Sequence, residues 1–172
     1  MSQRIIQRIG ETDQFYLKKN TPELALERGD LRLQLVTLSH NRQEQIHFLH
    51  EAIVILEQSR LEFDEIPLQL YLDLSLQLGR AYMMYYELTR DTKFATITQQ
   101  ILKPLAHYQD GDLLFLLAYA CAVKSEFAMT KHWLQKYVRS PVFDFALLQN
   151  HTAFQHLQSQ QWFAGLLKGK LH

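Results

Sequence analysis

His40, His47, His50 and Glu51 carry the side chains of a metal site. His47 and His50 stand three apart, which places both on one face of a helix. No third ligand has the spacing of a known motif, so the bland reading prevails. His50 borders the stripe Ile46, Leu49 and Ile53, where packing or a hydrogen bond accounts for it, and His47 is left to water. The expected metal ligands are none. Cys121 acts as a nucleophile only if a base or a helix N-terminus lowers its pKa. It lies among Ala118, Ala120, Ala122 and Val123, the setting of a small buried hydrophobe. As the only cysteine it also excludes a disulfide within the chain and a thiolate-rich zinc site. Asp64-Glu65 and Asp110 with Asp112 fall where helices are expected to begin, so capping explains them better than acid–base work. Asn150-His151-Thr152 fits a glycosylation acceptor, which has no meaning without secretion. No glycine-rich phosphate loop, Gly-x-Ser-x-Gly elbow or His-Glu-x-x-His is present. The sequence predicts no catalytic residues, no enzyme and no cofactor.

The elements that position these groups read as helices. The chain has 172 residues with only 6 Gly and 4 Pro, which suits long helices and short connections. Thr21-Pro22-Glu23 sets a cap, a first-turn proline and a dipole-compatible carboxylate in order. Asn41 with Glu44 has capping-box spacing, Pro67 opens a further helix, and Asp91, Asp110 to Asp112, Ser125 and Ser140-Pro141 mark more starts. Between them lie apolar stripes at helical spacing: Leu24, Leu31, Leu35 and Leu38; Ile46, Leu49, Ile53 and Leu56; Phe94, Ile97, Ile101 and Leu105, with Pro104 expected to end or kink the last. Trp133, Leu134, Tyr137 and Val138 form a final apolar edge.

One segment argues for a strand. Leu68, Leu70, Leu72, Leu74, Leu76 and Leu78 alternate strictly. Leu and Gln are good helix formers and β-branched residues are absent there, so we read a helix covered on several sides. The prediction is all-α, about eight helices, in one domain over residues 1–172. Residues 1–20 form an N-terminal arm or helix and residues 139–172 form capping helices.

Eighteen basic residues balance eighteen acidic ones, which excludes the broad electrostatic footprint of a nucleic-acid or anionic-membrane binder. Residues 1–86 carry a net charge of −3 and the rest +3. No apolar run is long enough to span a membrane, and residues 1–10 lack the apolar stretch of a secretory signal. The expected location is the cytoplasm.

Leu78-Gly79-Arg80-Ala81-Tyr82 resembles the first-helix core of a tetratricopeptide repeat, in which a small residue lets two helices approach and an aromatic fills the space beside them. Leu117-Ala118-Tyr119-Ala120-Cys121-Ala122, followed by Ser125-Glu126 and Trp133-Leu134, is similar, with Cys121 in the aromatic position and Ser125 where the turn usually has Gly. A fainter repeat lies at Leu33 and Val36, with Leu49 and Ala52 in its second helix. Phe143–Leu148, His151–Leu157 and Trp162–Leu167 resemble the ending of many bacterial arrays of this family, with His151-Thr152-Ala153 in place of the usual Asp-Pro-Asp. Val36, Tyr82 and Cys121, taken as equivalent, lie 46 and 39 residues apart. The family period is about 34, so longer helices or loops are implied.

The resemblance implies a stack of antiparallel helical hairpins whose first helices line a groove. That groove takes Leu76, Arg80, Met83 and Met84 from one repeat and Phe115, Tyr119, Ala122 and Val123 from the next, with Arg80 and Tyr119 as anchors. The implied function is an adaptor that binds a protein or peptide and neither nucleic acid nor membrane. The alternatives are an inhibitor of a toxic enzyme, of the immunity or antitoxin type, and a histidine-based metalloprotein. The open end of such a stack is also a place where two copies pair as a homodimer. Asp73 and Asp112 stand where chaperone-binding members need positive charge, which disfavours a receptor for chaperone tails.

Overall fold

Side-chain caps decide where several helices begin. In the computed structural model, which describes residues 2–171 and their side chains as far as Lys168, Thr21 Oγ1 accepts from the Leu24 N–H at 3.1 Å and opens α2 (Pro22–Leu38). Asn41 Oδ1 accepts from the Glu44 N–H at 3.1 Å and opens α3 (Arg42–Glu62). Each bond satisfies a donor that the first helical turn leaves without a partner. The chain begins with α1 (Ser2–Lys18), so the N-terminal segment is a helix. Pro67 precedes α4 (Leu68–Thr89), and the alternating leucines are helical as expected. Leu72, Leu74, Leu76 and Leu78 are all buried, whereas Leu68 at the first turn is half exposed.

α5 (Lys93–Leu102) ends as Pro104 requires and passes into a 3-10 helix, Lys103–Tyr108. α6 (Gly111–Val123) starts on Asp110, whose carboxylate accepts from the Leu113 N–H at 3.2 Å. α7 (Phe127–Val138), α8 (Phe145–Asn150), a second 3-10 helix (Thr152–Leu157) and α9 (Gln161–Leu171) complete the chain. Nine α-helices, two 3-10 helices and no strand occur among the described residues.

One expected cap and two expected helix starts are corrected. Asp64-Glu65 lies in the loop between α3 and α4, and among the described residues no side-chain hydrogen bond caps α4. Ser125 does not open α7: it sits in the left-handed region at φ 59°, and its N–H donates to Ala122 O, closing α6. Ser140-Pro141 does not open α8 either. The Ser140 hydroxyl donates to Tyr137 O at 2.7 Å and finishes α7, and Asp144 supplies the cap by accepting from the Leu147 N–H.

Contacts gather into two compact units, residues 1–94 and 95–172. In the first, the partners of α2 on α3 run backwards along the chain. Gln45 donates to Val36 O, Arg32 pairs with Glu51, and a side chain added at Gly29 meets Leu56 Cδ2 at 2.7 Å. Such an order means antiparallel helices, and at Gly29 they approach too closely for a larger side chain. α4 returns along α3 in the same way, through Arg60 with Tyr71, His50 with Tyr85 and Arg42 with Leu88. α2 and α4 therefore run in the same direction, and they also touch each other. The core of this unit includes Leu49, Leu56, Leu74, Leu78 and Met83, each almost wholly buried.

In the second unit α6 and α7 pack together, and α7 packs against α9. Phe115 centres a ring cluster with Tyr137 at 5.1 Å, His151 at 5.4 Å and Phe154 at 5.6 Å. The Asp144 N–H donates to the Tyr137 hydroxyl at 2.9 Å, tying the start of α8 back to α7.

Candidate functional site

The expected groove residues divide by burial. Met83 is 2% exposed and Tyr119 6%, so both are interior and withdraw from a binding face. Tyr119 stacks edge-on against His151 at 4.5 Å, and Phe115 is the half-buried hub of its ring cluster. Met84 and Val123 are half-buried and Ala122 is buried. Arg80 is exposed and borders a surface feature, a cleft of about 430 Å³ in the first unit, which Leu76 also lines although only 8% of it is exposed.

That cleft has two walls of the same design. Glu23, Leu26, Glu27 and Asp30 come from α2, and Asp73, Leu76, Gln77 and Arg80 from α4. Each set follows i, i+3, i+4, i+7 spacing, which is one continuous face over two helical turns. Side chains link the walls: Gln77 Nε2 donates to Asp30 Oδ1 at 2.7 Å, and Arg80 Nη1 donates to Gln77 Oε1 at 3.0 Å. Gln34 donates to Asp30 from within α2, and Gln69 donates to Asp73 from within α4. Arg8 of α1 grips Glu27 with two nitrogens, at 2.6 and 3.2 Å, which holds the guanidinium protonated well above its ordinary pKa. The leucines give the cleft an apolar element, and its four carboxylates outnumber Arg80.

Of these eight residues only Leu76 and Arg80 were expected in a groove and Asp73 at a clamp position; Glu23, Leu26, Glu27, Asp30 and Gln77 were not anticipated. Glu23, Glu27 and Asp30 do form a visible acidic stripe at helical spacing, but only the fold shows that Asp73 of α4 joins them.

His40, His47 and His50 are all solvent-exposed. His47 is solvent-exposed and lies 3.3 Å from Glu51 Oε1, while the other Glu51 oxygen accepts from Arg32 Nε at 2.8 Å. His50 is hydrogen-bonded to the Tyr85 hydroxyl at 2.6 Å. Among the described residues no three His, Cys, Asp or Glu side chains converge as a metal-binding group. Tyr82 donates to Glu57, and burial together with that bond pushes its hydroxyl pKa up.

A second cleft, of about 460 Å³, lies in the second unit among α5, the Lys103–Tyr108 turn, α6 and α7. Cys121 lines it, 3% exposed, with burial raising the thiol pKa above its ordinary value. That is the environment of a small buried side chain. Gln99 Nε2 reaches Cys121 Sγ at 3.2 Å and Glu126 Oε1 at 2.6 Å, and Lys124 Nζ donates to Gln99 Oε1 at 2.9 Å.

Among the described residues, no helix is long and apolar enough to cross a membrane. Compared with known proteins, the chain matches no family model, no curated protein and no solved structure.

Proposed function

We propose that this chain is a tetratricopeptide-like adaptor of the cytoplasm, non-catalytic, which captures a basic segment of another protein along the faces of α2 and α4. Three features support the hairpin reading. Val36, Tyr82 and Cys121 fall on α2, α4 and α6, and α2 and α6 each pack against the helix that follows, α3 and α7. α2 and α4 run in the same direction with α3 returning between them, as first helices of successive repeats do. Ser125, where the repeat's turn usually has Gly, adopts the left-handed backbone that favours Gly.

One observation carries the function: over two turns of each helix the cleft between α2 and α4 offers Glu23, Asp30 and Asp73, with Glu27 already paired to Arg8, beside Leu26 and Leu76. Such a surface matches a helix or extended segment that presents Lys or Arg next to an apolar residue. The charges steer and select, and the apolar contact adds affinity.

The test uses the full chain and an amphipathic Lys/Leu peptide, with a Glu/Leu peptide as control. The Lys/Leu peptide binds with an affinity that falls as salt rises, and the Glu/Leu peptide does not bind. Glu23→Lys combined with Asp73→Lys alters two surface positions, so it leaves the melting temperature near that of the parent and weakens the Lys/Leu complex at least tenfold. Equal affinity for the two peptides, or an undiminished complex in the double variant, rejects this reading. Affinity capture from the native cell, repeated with the same double variant, then identifies the partner.

A further inference from the structure

The cleft of the second unit has a different chemistry. Its walls carry Leu117, Cys121, Met129, Trp133 and Pro104, and its polar rim includes Gln99, Gln100, Lys103 and Glu126. A volume of about 460 Å³ falls in the range of sites that hold small organic molecules, roughly 300–1,000 Å³. A mainly apolar surface with a few placed polar groups is also the usual make-up of such sites.

The polar groups decide the class of ligand. Glu126 and Lys124 are opposite charges 3.7 Å apart, and Gln99 bridges them by donating to Glu126 and accepting from Lys124. This triad is internally compensated and offers an incoming ion little net charge. Lys103 is different: it is exposed on the rim, and among the described residues no carboxylate lies within ion-pair distance of it. It stands immediately before Pro104 in the turn beside the cleft, and the proline ring narrows the backbone conformations open to it. The second unit as a whole has a net charge of +3. The field at the cleft thus favours an anion, while the walls favour an apolar body.

We propose that this cleft binds a small single-chain carboxylate amphiphile, its carboxylate at Lys103 and its hydrocarbon body against Leu117, Met129 and Trp133. The site is separate from the α2/α4 cleft and does not depend on the adaptor reading. Cys121 supplies a built-in reporter, because an occupant covers its sulfur.

The experiment titrates the full chain with octanoate, octylamine and 1-octanol, following binding by calorimetry and the alkylation of Cys121 by N-ethylmaleimide. Octanoate binds saturably and slows alkylation, and octylamine binds at least tenfold more weakly. Lys103→Glu, a change at an exposed position, reverses that order. Met129→Glu places an anion in the apolar wall at a position 37% exposed and abolishes octanoate binding without unfolding the chain. Circular dichroism confirms that each variant is folded. Vesicles of phosphatidylglycerol do not co-sediment with the protein. The proposal is overturned if no probe saturates, if octanoate and octylamine bind alike, if Lys103→Glu leaves the order unchanged, or if vesicles bind and free octanoate does not.

Discussion

The two units solve the same problem, holding helices in register, with different side chains. The first uses ion pairs that reach from helix to helix. Asp13 of α1 accepts from Arg28 at 2.9 Å and from Arg32 at 3.1 Å, both on α2, and Arg32 continues to Glu51 of α3 at 2.8 Å. The second gathers rings about Phe115: Tyr137 comes from α7, Phe154 from the second 3-10 helix, and His151 from the link just before it. Helix length accounts for the contrast. Helices of 17, 17, 21 and 22 residues present many turns to one another, and charged pairs then choose among several apolar registers. The elements Phe145–Asn150 and Thr152–Leu157 have 6 residues each, too few to hold themselves as helices, so each relies on a large side chain seated in a common core.

The contrast is tested first where the expected effect is largest. Phe154 is wholly buried in the ring cluster, so Phe154→Ala removes both its burial and its ring contacts, at a cost of about 3–5 kcal/mol. Arg32 is 5% exposed, but its carboxylate partners keep 39% of their side-chain surface in water. That exposure screens the pair, and Asp13 retains Arg28 as a partner. Arg32→Met accordingly costs about 1–2 kcal/mol, well below the loss for a fully buried pair. Urea unfolding of both variants, followed by circular dichroism, gives the ranking. A larger loss from Arg32→Met than from Phe154→Ala would show that ion pairs, not rings, are the stronger constraint in this chain.

Local chemistry was legible in the sequence and distant chemistry was not. Thr21, Asn41 and Asp110 cap helices because a cap needs only a side-chain oxygen and an amide three residues on. The leucines of 68–78 were legible as a helix because their intrinsic preference outweighs a period-2 pattern. Ser140-Pro141 misled because a serine before a proline suits a helix start, while the same hydroxyl turned back onto Tyr137 O closes the preceding helix. Met83 and Tyr119 were assigned to a groove because periodicity shows that a face is apolar without showing what covers it. The acidic cleft joins residues about fifty positions apart, and only the approach of α4 to α2 brings them together. The unit-2 cleft needed four elements in place before its compensated triad could be told from the open charge of Lys103.

The smallest expected effect concerns the turn that closes α6. Ser125 is exposed and held at φ 59°, with its N–H donating to Ala122 O at 3.0 Å and the next N–H, of Glu126, donating to Cys121 O at 2.9 Å. A left-handed backbone costs a residue with a Cβ about 1–2 kcal/mol, and glycine escapes most of that cost. Glycine also gives the unfolded chain more freedom, which offsets about 0.5–1 kcal/mol of the gain. Ser125→Gly is therefore expected to raise stability by a few tenths to about 1 kcal/mol, read as a small upward shift of the urea midpoint with an unchanged slope. Ser125→Val moves the other way, because branching at Cβ aggravates the same crowding. The pair separates a backbone effect from a side-chain one: both variants remove the hydroxyl, so opposite signs place the cause in φ. If Ser125→Gly destabilises the chain as Ser125→Val does, the hydroxyl matters and the left-handed turn does not, and the likeness of this position to the turn glycine of a tetratricopeptide repeat loses its physical basis.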